Sequence, residues 1–279
     1  MKIAALQMVS TTRLADNLVA AQRLIARAAG EGADLVALPE HFCLMGHSDR
    51  DKLLIAEPPG HGSIQQMLSH CAHENSVWLI GGTLPLRTDD SQRVLNACCA
   101  FAPDGTQVAR YDKIHLFRYR NDLEQYDEGS VIRSGSEPVA FDVDTREGAV
   151  RVGLSVCYDL RFPELYRALM DPPCDLLVVP AAFTHTTGRA HWEVLLRARA
   201  IENQCYVMAP AQGGRHESGR RTWGHSLIVD PWGEVLGCRD EGAGIVMAQL
   251  DRERLSSVRS QLPALSHRSD FLRALRASH

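Results

Sequence analysis

The chain has 279 residues, of which 45% are hydrophobic and 23% are charged, and its formal charge is -4. This length is enough for a sizeable core in one or two domains, and the composition is ordinary for a globular protein. The slightly acidic balance gives no support for a nucleic-acid or acidic-membrane partner, and no apolar run approaches the roughly 20 residues that cross a bilayer.

The first part of the chain alternates between strand and helix patterns. Short apolar runs predict buried strands, and apolar residues at helical spacing predict helices between them. The last residue of one strand run is followed by Pro39, which ends the strand just before Glu40. The elements predicted in this part are a strand over 2–8, a helix over 13–29, a strand over 34–38, a helix over 63–75 and a strand over 77–84.

Hairpins follow, and then the alternation resumes. Asp104-Gly105 and Glu147-Gly148 are strong turn signals between strand-like segments. The later elements predicted are strands over 94–102, 107–111, 139–143 and 150–156, a helix from near Pro163, a strand over 175–179, a helix over 190–203, and strands over 206–210 and 226–229. Residues 118–130 are polar and predict a loop. We find no linker, so we predict one α/β domain over residues 1–279 with mixed sheets.

The cysteines and the first residues indicate a cytoplasmic protein. Gln7 and Asp16 follow the first apolar residues too early for a signal peptide. Eight cysteines without a CxxC pair favour free thiols over disulfides or structural zinc, so no metal or cofactor is predicted. The neighbours Cys98 and Cys99 should point to opposite faces of a strand. We interpret the basic cluster Arg215, Arg220 and Arg221 as a solvated loop rather than a phosphate-binding patch.

Three residues with complementary chemistry each follow a predicted strand, namely Glu40, Lys113 and Cys157. Strand ends can converge in an α/β fold, so these side chains could meet. A carboxylate can take the proton of a thiol nucleophile, and an ammonium can stabilise the oxyanion that forms after attack. The backbone N–H of Tyr158, next to the thiol, is a second oxyanion donor. Taken singly, each residue has a structural explanation, so local motifs must decide.

The motifs VALPEHF, YDKIHLF and VCYDLRFPELYR surround these three residues and resemble the three signatures of the nitrilase superfamily. AHWEVLLRARAIENQCYV and GHSLIVDPWGEV extend the resemblance over nearly the whole chain. The resemblance implies a four-layer α-β-β-α sandwich with two mixed sheets, and a homodimer or higher homo-oligomer. It also implies that Glu40 is the base, Lys113 the oxyanion-stabilising cation and Cys157 the nucleophile. Glu128 is the best match to a further family glutamate that positions the lysine.

CYDLRFPE and the helix motif most resemble the Nit branch, whose members hydrolyse deaminated glutathione to 2-oxoglutarate and cysteinylglycine. Such a small-molecule amide is anionic, so a cation near the nucleophile is expected. Arg161 is the candidate, with a structural ion pair to Glu164 as the alternative. Tyr158 and the segment after Pro180 are expected to line the pocket, through Phe183, Thr184 and Thr187. The sequence departs from the branch at Arg118, where many members have an acidic residue.

Other functions remain open at this point. An ω-amidase, an N-carbamoyl amino-acid amidohydrolase or an aliphatic amidase would use the same three residues. A papain-like protease would pair the cysteine with a histidine, for which His115, His185 and His191 are the candidates. A catalytically silent scaffold or redox protein would keep the fold, but such a protein should have lost one of the three residues.

Overall fold

The computed structural model describes residues 1–120 and 125–268 of the chain. The strands in these ranges are β1 Lys2–Gln7, β2 Leu35–Ala37, β3 Trp78–Ile80, β4 Leu84–Arg87, β5 Val94–Phe101, β6 Gln107–Asp112, β7 Arg118–Arg120, β8 Gln125–Asp127, β9 Val139–Val143, β10 Val150–Leu154, β11 Leu176–Val178, β12 Tyr206–Ala209, β13 Gly213–Arg215, β14 Arg221–Trp223, β15 Ser226–Val229, β16 Val235–Arg239 and β17 Gly244–Gln249. The helices are α1 Leu14–Gly30, α2 Ser63–Asn75, α3 Pro163–Ala168, α4 His185–Asn203 and α5 Arg252–Gln261.

Two large sheets form the centre of the molecule. The first has seven strands, in the order β17-β1-β2-β3-β5-β4 with β6 paired to β5, and the second has six, in the order β16-β15-β12-β11-β10-β9. In both sheets the central strands are parallel, as β1–β2 and β10–β11 are. The outer strands are antiparallel, as β17 and β9 are. The prediction of two mixed sheets is confirmed.

Alternating side chains place these sheets in a four-layer stack. Along β1, Ile3 and Ala5 belong to the apolar cluster between the sheets, while Ala4 and Leu6 belong to the cluster under α1 and α2. This alternation is the period of two that a strand buried on both faces requires. Helices α3 and α4 cover the second sheet, with Trp192 and the rest of the inner face of α4 packed against β12 and β15. The resulting order is α-β-β-α, as the resemblance implied.

Adjacent cysteines show the same alternation. Cys98 lies in the cluster between the sheets, and Cys99 lies in the cluster under the helices. The prediction that they point to opposite faces is therefore confirmed, and all eight cysteines are free.

Some predicted boundaries were wrong. The strand predicted over 77–84 is two strands, β3 and β4, separated at Gly81-Gly82. Gly82 has a φ of 57° and packs against the carbonyl oxygen of Pro39, which requires a residue without a side chain. Helix α4 begins at His185 rather than 190. Strand β17, helix α5 and the β13–β14 hairpin were not predicted.

The segment 118–130, predicted as a loop, is structured where the structure describes it. It forms the β7–β8 hairpin and a 3-10 turn over Glu128–Ser130. Residues 121–124 of that predicted loop, and residues 269–279 of the predicted domain, lie outside the described residues. Across 1–120 and 125–268, no helix is both long and apolar enough to cross a membrane.

Candidate active site

The ends of three strands converge on one pocket. Glu40 follows β2, Lys113 follows β6 and Cys157 follows β10, each within a few residues of the last paired position. Glu40 and Cys157 line the pocket, and Lys113 is hydrogen-bonded to Glu40. The first two strands and the third belong to different sheets, so the site lies where the two sheets meet. The three side chains therefore lie together, as the sequence predicted.

Lys113 holds two carboxylates together. Its side chain is fully buried, and its Nζ donates to Glu40 Oε1 at 2.9 Å and to Glu128 Oε2 at 2.8 Å. Burial alone would lower the pKa of the ammonium, but Glu128 and Glu40 outweigh this effect and raise the pKa well above its ordinary value. Lys113 is therefore a permanent positive charge inside the protein.

Both oxygens of the Glu40 carboxylate accept hydrogen bonds. Oε1 accepts from Lys113 and from Asn96 Nδ2 at 2.9 Å, and Oε2 accepts from the backbone N–H of Ala182 at 2.9 Å. Burial works toward a higher pKa, but the charge of Lys113 and the hydrogen bonds lower the pKa to about 2. Glu40 is thus ionised, and able to accept a proton, over the whole neutral range.

Cys157 occupies a strained backbone position at the start of a 3-10 turn. Its φ is 49°, in the left-handed region that a side chain disfavours, and its N–H is held by the carbonyl of Pro180 at 2.9 Å. Burial raises the pKa of the thiol well above 9.0, and the interaction with the Glu40 carboxylate adds to the rise. At neutral pH the sulfur carries its proton, so attack requires a base, and Glu40 is beside it.

Glu128 fixes the position of Lys113 from the other side. Its Oε2 also accepts the N–H of Phe117 at 2.7 Å, and its own N–H donates to the carbonyl of Phe117 at 3.0 Å. Burial raises the pKa of this carboxyl, Lys113 lowers it, and the nearby Glu40 raises it again. The two glutamates compete for one ammonium, which ties the position of Lys113 to both.

The predicted substrate-contacting residues divide into two groups. Tyr158, Phe183, Thr184 and Thr187 line the pocket, whose empty volume including its open mouth is about 650 Å³. Arg161 is not among the lining residues. Its guanidinium lies 5.7 Å from the ring centroid of Tyr158 and 5.2 Å from that of Phe183.

Arg161 has no carboxylate partner in the described parts of the chain. The alternative of an ion pair with Glu164 is not what the structure contains, because the guanidinium instead contacts His191 Nδ1 at 3.3 Å. The guanidinium therefore lies against the rings of Tyr158 and Phe183, outside the pocket lining, and places a positive charge next to that wall.

Several pocket residues were missed, and one interpretation was wrong. Arg220 and Arg221 line the pocket, so they do not belong to a solvated loop, whereas Arg215 of the same hairpin is exposed. The remaining lining residues that were missed are His41, Met45, Asp49, Phe117, Tyr126 and Thr222. His41 and Phe117 fall inside the motifs around Glu40 and Lys113, and Asp49 lies in a segment rich in charges. Tyr126 lies in β8 and Thr222 in β14, two strands that were not predicted, so their place in the pocket depends on the tertiary fold.

His41 is a neutral imidazole next to the base. Its Nε2 lies 3.9 Å from Glu40 Oε1. Burial lowers the pKa of His41 to about 3 against the opposing effect of Glu40, and the charges of Lys52, Lys113 and Arg220 reinforce the lowering. The histidines considered for a protease have structural contacts instead, such as His115, which binds Asp159 at 2.7 Å and stacks on Phe162.

One group of side chains has the composition of a metal site. Ligand atoms of Glu40, His41 and Glu128 lie within 4.8 Å of one another. However, the ammonium of Lys113 is already bound to both carboxylates at 2.9 Å or less. A divalent cation would have to displace a buried lysine, so these residues fit a lysine-bridged carboxylate pair better than a metal site.

Comparisons with known proteins agree with this geometry. The carbon-nitrogen hydrolase family model matches residues 2–260. The chain is 42% identical over 268 residues to the deaminated glutathione amidase of Synechocystis, covering 95% of this chain and 97% of the relative. It is 36% identical over 279 residues to the human omega-amidase, covering 98% and 97%. The crystal structure of the C. elegans NitFhit protein superimposes with a TM-score of 0.86 at 37% identity, covering 97% of this chain and 65% of the C. elegans chain.

Proposed function

The chain belongs to the carbon-nitrogen hydrolase family, and on that premise we propose that it is an amidase acting on deaminated glutathione through a thioester on Cys157. The observation that carries the proposal is the buried lysine-bridged group. Lys113 has no exposed surface and binds Glu40, the residue beside the thiol. A base, a nucleophile and a cation thus share one pocket, as amide hydrolysis requires.

In the first half of the reaction, Cys157 Sγ attacks the amide carbonyl carbon while Glu40 takes the thiol proton. The negative charge on the former carbonyl oxygen is stabilised by Lys113 and by the N–H of Tyr158, which lies in the first turn of a 3-10 helix where backbone donors are open. The C–N bond then breaks, and Glu40 returns the proton to the departing amine. The acyl group remains on sulfur as a thioester.

In the second half, water replaces the amine. Glu40 takes a proton from water as its oxygen attacks the thioester carbon, and the same donors stabilise the second oxyanion. The C–S bond breaks, the sulfur regains its proton from Glu40, and the acid product leaves. Glu40, with its pKa of about 2, begins each half-reaction as a carboxylate.

The choice of deaminated glutathione follows from relatives and from charge. The Synechocystis relative named for that activity is 42% identical over almost the full chain. Arg161 offers a cation without a protein anion in the part of the chain the structure describes, at the rings of Tyr158 and Phe183. It suits the carboxylate of a 2-oxo acid. Because the human omega-amidase is 36% identical to this chain, amides formed from a 2-oxo acid and ammonia are the second candidate class of substrate.

The test is hydrolysis of deaminated glutathione, 2-oxoglutaramate and an N-carbamoyl amino acid by the wild type and by Cys157→Ala. We expect release of 2-oxoglutarate from deaminated glutathione at a rate that Cys157→Ala abolishes while the variant stays folded. Activity retained in Cys157→Ala would overturn the mechanism. Turnover confined to the N-carbamoyl substrate would overturn the substrate class and leave the mechanism.

We further propose a cytoplasmic homodimer. All eight cysteines are free, seven of them buried, which suits a reducing compartment. Among the described residues, four of the eight large exposed hydrophobic side chains lie on α4 and the neighbouring β15–β16 hairpin: Val194, Ile201, Trp232 and Leu236. We call these four residues the α4 patch. Exposed apolar side chains grouped on adjoining elements are typical of a subunit interface.

A further inference from the structure

One wall of the pocket carries a charge cluster that the hydrolysis steps do not use. It consists of Asp49, which lies in the 3-10 turn Asp49–Leu54, Lys52 in the same turn, and Arg220 between β13 and β14. Asp49 Oδ1 accepts from Lys52 Nζ at 2.8 Å and from Arg220 Nη2 at 2.8 Å. Asp49 and Arg220 both line the pocket.

This cluster has an excess of positive charge. One carboxylate is shared between two cations, so the three side chains carry one net positive charge. Lys52 and Arg220 hold the pKa of Asp49 well below its usual value in spite of burial. Asp49 is therefore ionised above acidic pH, and the net charge of the three side chains stays at one positive charge. Arg221 lines the same wall, but Glu241 balances its charge at 3.0 Å.

Of the two cations, Arg220 is the one that a ligand can reach. The side chain of Lys52 is 10% exposed and that of Arg220 is 26% exposed. Arg220 uses Nη2 for Asp49, and within residues 1–120 and 125–268 neither Nε nor Nη1 has an acceptor. A guanidinium has five N–H donors in a planar fork that matches a carboxylate, so this wall retains unused donors for one.

Two cations are therefore associated with the pocket. Arg161 lies against the rings of Tyr158 and Phe183, which line it, and Arg220 lines the wall with Asp49. The catalytic group in the same pocket combines the carboxyls of Glu40 and Glu128 with one ammonium. A ligand with a neutral amide at its centre and a carboxylate at each end matches this distribution of charge. Deaminated glutathione is such a molecule, with a 2-oxo acid at one end and the glycine carboxylate of cysteinylglycine at the other.

We propose that Arg220, held by Asp49, binds the carboxylate of the departing amine and so selects amides of anionic amines over amides of ammonia. The inference rests on the proposed function and adds the amine side of the substrate to it. Arg220 is a specificity residue rather than a catalytic one, because the bond-breaking steps need no group at that position. Arg220 should therefore improve the binding only of substrates whose leaving group carries a negative charge.

The first test compares two substrates that share the acyl group. Deaminated glutathione releases cysteinylglycine, and 2-oxoglutaramate releases ammonia. We expect Arg220→Gln to lower the ratio of their kcat/KM values by about 10- to 100-fold, mainly through KM for deaminated glutathione, because one charge-assisted hydrogen bond is lost. Arg220→Lys should recover part of the ratio. A ratio unchanged in Arg220→Gln, or an equal loss on both substrates, would overturn the proposal.

A matched control comes from the same hairpin. Arg215 is exposed and does not line the pocket, so Arg215→Gln removes the same charge without touching the site. Its ratio should stay within about twofold of the wild type, since a distant surface charge is screened. Arg220→Gln should fold, because Asp49 keeps its partner Lys52 at 2.8 Å.

The second test needs no turnover and separates this proposal from the proposed function. In the Cys157→Ala background, calorimetry measures the binding of cysteinylglycine and of its C-terminal amide. A preference for the free carboxylate that disappears in Arg220→Gln supports the subsite even if no 2-oxo acid amide is hydrolysed. Equal binding of the two peptides to the Cys157→Ala protein that retains Arg220 would overturn the proposal, whichever amide the wild type hydrolyses.

Discussion

Lys113 is the residue on which the charge balance of the site depends. It is fully buried, and a buried ammonium is stable only when its anions are near. Glu40 and Glu128 supply two, and burial, with the charge of Glu40, raises the pKa of the Glu128 carboxyl. In the proposed mechanism, an oxyanion that forms beside Lys113 competes with these carboxyls for the ammonium, so the hydrogen bonds of Lys113 to Glu40 and Glu128 must adjust.

Replacing this lysine tests its role directly. We expect Lys113→Ala to lower kcat by about 100-fold or more, because an oxyanion donor is lost in a site shielded from water. Thermal unfolding of the same variant shows whether the two unpaired carboxylates also destabilise the fold. A loss of less than about tenfold in a folded variant would mean that backbone N–H groups alone hold the oxyanion.

The pKa of Cys157 predicts how its alkylation depends on pH. Burial and the Glu40 carboxylate raise the pKa of this thiol, so its thiolate fraction should still be growing above pH 9.0, the ordinary thiol value. We expect the rate of carbamidomethylation by iodoacetamide, followed on the Cys157 peptide by mass spectrometry, to increase beyond that pH. A plateau near neutral pH would show that Lys113 stabilises a resting thiolate and would contradict the order of proton transfer proposed above.

At the scale of elements, the site depends on how two strand ends pack against each other. Gly82, between β3 and β4, lies against the turn that follows β2 and carries Glu40. The N–H of His41 in that turn donates to Thr83 Oγ1 at 2.9 Å. The position of Glu40 is thus fixed by the neighbouring strand end as well as by Lys113.

A pair of glycine substitutions separates this contact from backbone strain. Gly60 and Gly82 both have positive φ, but a Cβ at Gly60 meets no atom within 4 Å, whereas one at Gly82 lies 2.2 Å from the carbonyl oxygen of Pro39. We expect Gly60→Ala to cost about 1–2 kcal/mol of unfolding free energy from the backbone alone. Gly82→Ala should cost a further ~1–3 kcal/mol by overpacking and should also lower kcat, because the turn bearing Glu40 must move.

Denaturant unfolding and steady-state kinetics on the two variants check this prediction. Gly60→Ala is the control for the conformation, since it lies outside the pocket. Equal stability and equal kcat in the two variants would mean that the turn after β2 accommodates a methyl group without moving the base.

At the scale of the whole molecule, the outer side of α4, the helix that covers the second sheet, carries exposed apolar side chains. Helix α4 packs its inner side on β12 and β15, while its outer side carries Val194, 69% exposed, and Ile201, 49% exposed. Trp232, 55% exposed, lies in the adjoining β15–β16 turn. Arg197 ties the helix to that turn through the carbonyl of Gly233 at 2.8 Å, so the residues of the α4 patch lie on adjoining elements.

Charge in this patch should dissociate the proposed dimer. We expect a Val194→Glu and Trp232→Glu double variant to be monomeric by sedimentation equilibrium at concentrations where the wild type is dimeric, because an interface core does not accept unpaired carboxylates. Val19→Glu on α1, where the valine is 54% exposed and far from the patch in the fold, is the matched control and should not change the mass. An unchanged dimer in the double variant would place the interface on another face.

Much of the fold was predictable because its signals are local. Helix α2 over 63–75 and strands β9 and β15 have the predicted limits, since apolar periodicity and turn residues act over a few positions. The same holds for Glu40, Lys113 and Cys157, which chemistry and motifs singled out before any distance was known. The single strand predicted over 77–84 failed because an apolar run does not reveal that Gly82 must pack under Pro39.

The walls of the pocket were decided by tertiary structure alone. Arg220 and Arg221 have the sequence of a solvated turn, yet both line the pocket, and Arg220 binds Asp49, 171 positions earlier in the chain. A charge is read from the sequence, but its partners and its exposure are set by which distant elements pack together. The sequence by itself therefore determined the fold class and singled out the three residues proposed to be catalytic, whereas their pKa shifts, the position of Arg220 and the shape of the pocket arise only when the two sheets meet.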